Sequence, residues 1–177
     1  EKVVVDKNYV LRVPENLDLA AVAPLLCAGI TTYSPLKHWN VNENSKVAVI
    51  GLGGLGHMAI KLAKGMGAHV GLFSRSRDKI QDALDLGADK VVISTDEAQM
   101  GEVQGKFDLI IDTVPYVHDL NEYINTLNTN GTLVLLGYIG PLTEILHTAP
   151  LVMGRKSVAG SLIGGIAETQ ELLDVCG

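Results

Sequence analysis

The stretch that most constrains this chain is "VAVIGLGGLGHMAIKLAKGMG", positions 47 to 67. A β-branched run, Val47 to Ile50, breaks into four glycines within six residues and then becomes an apolar stripe at helical spacing: Leu55, Met58, Ala59, Leu62, Ala63 and Met66. Strand, turn and helix in that order predict one βα unit of a parallel sheet. Gly51, Gly53 and Gly56 fit G-x-G-x-x-G in the context that gives the pattern meaning. Gly51 permits the tight turn, Gly53 lets the backbone approach a pyrophosphate, and Gly56 lets the helix lie close to the sheet. With Gly54 and Leu55, Gly56 also opens the helix, whose free N–H groups suit phosphate. A tight turn that simply favours glycine is the bland alternative, and flavin, nicotinamide and other nucleotides all remain open as ligands.

Beyond the loop, β-branched runs alternate with helical periods, the pattern of βαβ units. Val47 to Ile50, His69 to Phe73, Lys90 to Ile93, Phe107 to Asp112, Thr132 to Leu136 and Ser157 to Ser161 are six candidate strands, with a helix from about Asp78 to Leu86. "GMGAHV" and "DLGADKVV" both put Gly-Ala between helix and strand, so Gly67 and Gly87 are expected in the left-handed position that ends a helix. The expected fold is α/β, a Rossmann doubly wound six-stranded parallel sheet with helices on both faces. The first 45 residues read differently: "VVVDKNYVLRVPENLDLA" as a short strand pair or extended arm, and "AAVAPLLCAGITTYSPLKHW" as helical material interrupted by Pro24, Gly29 and Pro35. Residues 1–40 are therefore assigned to the tail of a neighbouring domain and its crossing helices, and 41–177 to the dinucleotide-binding domain.

About twenty residues past the glycine loop, an NAD-binding unit of this kind carries an acid for the adenosine ribose. This chain has Ser74-Arg75-Ser76-Arg77-Asp78-Lys79 there. Hydroxyls and a planar guanidinium suit the 2′-phosphate of NADP, which a carboxylate would repel. Ser74, Arg75, Ser76 and Lys79 are the candidate readers and Arg77 is expected to face solvent; a solvated helix start is the alternative. The cluster stands out because the chain as a whole is acidic, with a net charge of −6. That balance argues against general attraction to nucleic acid. The apolar content of 47% comes without a run long enough for a membrane helix, so a soluble protein is expected. Cys27 and Cys176 are too few and too distant for a disulfide framework, which fits a reducing, cytoplasmic setting. The start at Glu1 and the stop just after an apolar helical pattern suggest a piece of a larger protein.

Seven stretches together, "PLLCAGITTYSPLKHW", "VAVIGLGGLGHMAIKLAKGMGAHV", "SRSRDK", "LGADKVV", "FDLIIDTV", "GTLVLLG" and "GSLIGGIAETQELLDVC", resemble the cofactor-binding domain of zinc-dependent medium-chain alcohol dehydrogenases of the cinnamyl-alcohol-dehydrogenase-like branch. The resemblance implies that Cys27 is a ligand of the catalytic zinc, and that Thr31 lies near the nicotinamide. It implies further cofactor contacts at Thr113 and Val114 after the fourth strand, Gly137 after the fifth, and Ser161, Leu162 and Ile163 beside the nicotinamide end. Read alone, Cys27 is a core residue, and Thr113 and Ser161 are strand-end caps. The implied activity is hydride transfer between NADP and a primary alcohol or aldehyde. Zinc would act in the full-length parent and not be retained here, because the other ligands and the proton-relay groups of the family fall outside these residues. The five histidines show no ligand spacing with Cys27 and are expected to be structural or exposed. A homodimer through the edge strand near 157–163 is also implied. A zinc-free quinone or enoyl reductase, a nucleotide-sensing module without chemistry and a methyltransferase are the competing readings; Cys27 within "LLCAG" favours the zinc branch over the first, and Ser74 and Arg75 in place of the acid speak against the last.

Overall fold

In the computed structural model, which describes residues 2–138 and 140–177, the β-branched runs become one sheet. Its strands are β1 (Lys46–Ile50), β2 (His69–Ser74), β3 (Lys90–Ile93), β4 (Phe107–Asp112), β5 (Leu127–Leu135) and β6 (Ser157–Gly160). All pairings are parallel, in the order β3-β2-β1-β4-β5-β6. This is the doubly wound order, in which the chain's travel across the sheet reverses beside β1 and leaves a crevice at the carboxyl ends of β1 and β4. The helices are α1 (Leu19–Val22), α2 (Ala28–His38), α3 (Gly54–Gly65), α4 (Ile80–Asp85), α5 (Glu97–Glu102), α6 (Asn121–Thr126), α7 (Thr148–Gly154) and α8 (Ile166–Cys176).

Both faces of the sheet are covered, as a parallel sheet requires. The period of two along β1 sends Val47 and Val49 into one core with Ala59, Ile60 and Ala63 of α3 and Leu36 of α2. Ala48 and Ile50 point into the other, with Phe73, Phe107, Tyr123, Ile124 and Leu133. Val47, Ala48 and Val49 are wholly buried, and each fully buried valine contributes about 1.5–3 kcal/mol. Gly67 and Gly87 take the expected left-handed conformation, φ +89° and +107°. Each donates to the carbonyl three residues back, Lys64 and Leu84, so the two Gly-Ala echoes are one turn used twice.

Three expectations need correction. First, α2 runs straight through Gly29 and Pro35. Pro35 withholds one helical N–H, but the helix resumes beyond it, with Trp39 N–H donating to the Pro35 carbonyl at 3.0 Å. Gly29 is kept for packing, since a Cβ there would stand 3.1 Å from Leu172 Cδ2 of α8. The break falls instead at Cys27, between a 3₁₀ turn at Ala23–Leu26 and α2. Second, β5 starts at Leu127, earlier than the expected Thr132. Leu127 pairs with Phe107 before the register shifts to Thr132 opposite Leu109, across an irregularity where Asn130 has φ +66°. Third, the N-terminal segment is the extended arm and not a strand pair: among the described residues before Asp18 there is a 3₁₀ turn, Lys7–Tyr9, and no strand. The arm is fastened to α8 by a reciprocal pair, Arg12 N–H to Gln170 Oε1 at 2.8 Å and Gln170 Nε2 to the Arg12 carbonyl at 3.0 Å.

Candidate functional site

The glycine loop has the shape that a phosphate needs. Gly51 turns the chain with φ +86°, in a region other residues rarely adopt. A Cβ on Gly56 would lie 2.0 Å from the Gly51 carbonyl oxygen, so only glycine lets α3 start this close to β1. Gly53 and Gly54, by contrast, face open space with no heavy atom within 4 Å of an added Cβ. No side chain caps α3 at Gly53. Its first-turn N–H groups, which no carbonyl of the helix itself can reach, are thus presented to that space.

A cleft of about 360 Å³ opens over this loop and gathers Gly51, Gly53, Ser74, Arg75, Ser76, Lys79, Thr113 and Val114. Among the described residues lining it there is no Asp or Glu. Arg75 enters no ion pair among the described residues, whereas Arg77 points away and meets Asp96 at 3.5 Å. Lys79 Nζ donates to the Leu52 carbonyl at 3.3 Å, which holds it over the loop. The Ser74 hydroxyl is turned inward: it donates to the Ser76 carbonyl at 2.9 Å and accepts from Ser76 N–H at 3.2 Å. Thr113 is likewise occupied, its hydroxyl donating to the Ile50 carbonyl at 2.7 Å and so tying the end of β4 to that of β1. Gly137 supports the same corner, since a Cβ there would meet the Thr113 carbonyl at 2.4 Å.

The remaining candidates form a second group away from the lining of this cleft. Ser161, Leu162 and Ile163 follow β6, and Ser161 lines a separate cavity of about 370 Å³ with Lys37, Trp39 and Glu168. Gly164 fits tightly against α2, where a Cβ would come 2.7 Å from Ile30 Cδ1. That contact brings the 161–163 turn beside the helix carrying buried Thr31. Ile163 has φ +40°, a strained state for a β-branched residue. Cys27, at the start of the same helix, is exposed. Among the described residues no three His, Cys, Asp or Glu side chains converge to hold a metal.

Sequence reasoning missed part of the cleft wall: Ser94, Tyr116, Tyr123 and His118. His118, set aside above as structural or exposed, is half-buried, with its Nε2 3.1 Å from the Oδ2 of deeply buried Asp112. Neither atom has an aligned hydrogen bond, so the contact is close without being a straight bond, and it is an ion pair when the ring carries its second proton. The other ring nitrogen, Nδ1, donates to the Tyr116 carbonyl at 2.8 Å. The Asp112 carboxylate pushes the His118 pKa up; burial and the Arg75 charge push against it, and the Tyr116 carbonyl adds to the rise. A histidine six residues after an acid matches no motif; the pair exists only once the 113–118 loop folds back.

Comparison with known proteins agrees with this geometry. Residues 54–176 match the family described as zinc-binding dehydrogenase. The chain is 53% identical over 174 residues to NADP-dependent alcohol dehydrogenase C 1 of Mycolicibacterium smegmatis, covering 98% of this chain and 50% of that protein. It is 49% identical over 177 residues to a probable cinnamyl alcohol dehydrogenase of Pinus taeda, covering 98% and 49%. Among solved structures it resembles a cinnamyl alcohol dehydrogenase of Sorghum bicolor, with a TM-score of 0.90 at 43% identity, covering 96% of this chain and 48% of that one. It also resembles CAD from Helicobacter pylori complexed with NADP(H), with a TM-score of 0.84 at 46% identity and coverage of 97% and 49%. The chain thus spans about half the length of the relatives it matches. A Rossmann sheet in doubly wound order, a glycine loop under an open cleft and these matches lead to one conclusion: the chain belongs to the zinc-binding dehydrogenase family.

Proposed function

We propose that this chain is the cofactor-binding part of an NADP-dependent alcohol dehydrogenase or aldehyde reductase, acting on a primary alcohol or aldehyde. The observation that carries the reading is a single cleft where uncapped N–H groups of α3 meet Arg75 and Lys79, with no carboxylate among the described residues of the lining. The loop N–H groups bind the pyrophosphate and the helix dipole favours its charge. Arg75 and Lys79 attract the 2′-phosphate, Arg75 with a fork of donors that fits phosphate oxygens. The Ser76 backbone and the hydroxyl of Ser74 frame the ribose once Ser74 turns outward. Bound NADPH would supply the hydride. The role of Thr31 and of Ser161 to Ile163 is to orient the nicotinamide end. The NADP dependence of the Mycolicibacterium relative and the NADP(H) bound in the Helicobacter structure support NADP over NAD.

Zinc ligation in the whole protein would need partners for Cys27 beyond those present here, and the substrate would be set with them. Residues 1–40 are read as the end of the neighbouring domain and the crossing helices, and 41–177 as the nucleotide domain, in a cytoplasmic enzyme. A homodimer would form by pairing of β6, whose outer edge pairs with no other strand among the described residues. The test of the cofactor assignment is calorimetric titration with NADPH and with NADH, repeated with Arg75→Ala. Tighter NADPH binding that weakens about tenfold in the variant, with NADH little changed, is expected. Equal affinity for the two cofactors in the native chain would sink the NADP assignment.

A further inference from the structure

His118 has an acceptor at each ring nitrogen: the Tyr116 carbonyl at Nδ1 and the Asp112 carboxylate at Nε2. A neutral imidazole carries one N–H and can serve only one of them; the imidazolium donates to the carbonyl and turns a second N–H and a positive charge toward the carboxylate. The ring is wedged as well as charged. Its face stands edge-on to Tyr123 at 5.8 Å, and Tyr123 stands edge-on to Phe73 at 5.1 Å beneath the cleft. Asp112 Oδ1 accepts from Val114 N–H at 3.0 Å, and the Asp112 carbonyl takes N–H groups from Leu136 and Gly137. One residue therefore joins the loop 113–118 to the ends of two strands, and His118 closes that loop onto it.

We propose that His118, as an imidazolium between the Tyr116 carbonyl and the Asp112 carboxylate, is a positioning residue of the nucleotide cleft whose proton balances a buried negative charge and so makes dinucleotide affinity fall as pH rises. The proposal rests on the reading of the cleft as a dinucleotide site. When the proton leaves, Asp112 remains, 1% exposed, as an uncompensated carboxylate behind a wall that faces a polyanion. The other groups facing the ring from packed elements are few. Arg75, at the end of β2, opposes protonation, and Lys79 shares the cleft. Tyr123 of α6 is itself pushed up, first by burial, and Glu122 lies near it. On the outer side Glu144 shares a small pocket with His118. Asp119, next in the chain, is engaged with Asn121 N–H at 2.8 Å. By reciprocity, a bound 2′-phosphate raises the affinity of His118 for its proton, and NADPH does so more than NADH.

The experiment measures NADPH affinity from about pH 7 to about pH 9, where a phosphate monoester is already dianionic, alongside NMR titration of the His118 ring with and without NADPH. The native chain should lose about fivefold in affinity across that range, the size expected of one unit charge a few residues from the ligand. His118→Gln leaves the carboxylate unbalanced at every pH, so its affinity should be low and flat. Asp112→Asn removes the charge and should abolish the alkaline loss. A purely structural pair predicts that both variants weaken binding alike, and that result overturns the proposal. So does a His118 titration at the ordinary imidazole value with NADPH binding intact. If neither dinucleotide binds at any pH, the reading of the cleft fails and the affinity effect with it, while the ring titration still reports whether His118 and Asp112 are paired.

Discussion

The middle of the sheet and its β6 edge are finished in different ways. Along β1 the residues from Val47 to Ile50 are at most 2% exposed, and the strand's end is clasped by the Thr113 hydroxyl. At β6 no residue is fully buried, and around it Val152, Met153 and Leu162 are 77%, 87% and 75% exposed. The glycines repeat the contrast, since Gly56 has the Gly51 carbonyl against it and Gly160 has nothing within 4 Å. Inside, then, geometry is fixed by contacts this stretch makes with itself. At the edge the surface is apolar and open, which is where association with another copy is proposed.

Substitutions at the two places should therefore differ sharply. Gly56→Val drives a branched side chain into the Gly51 carbonyl and should cost at least about 3 kcal/mol in denaturant unfolding, together with nucleotide binding. If it cost less than about 1 kcal/mol, α3 would have to start further from β1 than described. Leu133→Ala, at a site with no exposure, should cost about 2–5 kcal/mol by transfer and cavity formation, whereas Met153→Ala should stay within about 0.5 kcal/mol. A larger loss at Met153 would mean that the edge is covered in solution, and light scattering at tens of micromolar would then report a dimer.

Two titrations extend the contrast to charge. The folded pKa of His118 lies above the ordinary value of 6.5, so its contribution is fully present below about pH 6.5 and is lost as pH rises through the raised value. The stability gap between the native chain and His118→Gln should accordingly narrow with rising pH. Asp89 has the opposite sign. Partial burial works against its ionisation, but Lys64 Nζ at 2.6 Å and the Val70 N–H at 2.8 Å bring its pKa below the usual carboxylate value. Its contribution is present above that usual value and lost as pH falls through the lowered one, so the gap to Asp89→Asn should close in acid. The smallest expected effect is Gly160→Ala, within about 0.5 kcal/mol; a larger loss would place another surface against that strand.

What was legible in the sequence was local. The glycine loop, the Ser74 to Lys79 cluster and the turns at Gly67 and Gly87 each need a few adjacent residues with special conformations or charges, and each is found where expected. What was not legible depends on distant partners. Nothing near Pro35 announces that α2 continues past it, because the reason is packing against α3 and α8. The early start of β5 comes from pairing with Phe107, across an Asn-Gly that reads as a turn. His118 gains its partner only after β4 ends and the loop reverses. The roles proposed for the Cys27 thiol and the turn at 161–163 rest on family likeness, and their local chemistry carries little of that assignment.

The pairing of β1 with β4 also sets a timetable. Val47 lies beside Leu109, so the sheet's central seam joins strands some 60 residues apart, while β1 meets β2 across only about 20. A ribosome adding about 5–20 residues per second delivers Leu109 some 3–12 seconds after Val47. Pairings this distant in sequence are slow to form. In that interval the first strand, the glycine loop, α3 and β2 can assemble on one side, with the other flank of β1, a row of unpaired N–H and C=O groups between apolar side chains, still waiting for its neighbour. The loop proposed to hold a phosphate is thus among the first parts of the molecule able to take shape, and the seam beside it is the part most in need of shelter during synthesis.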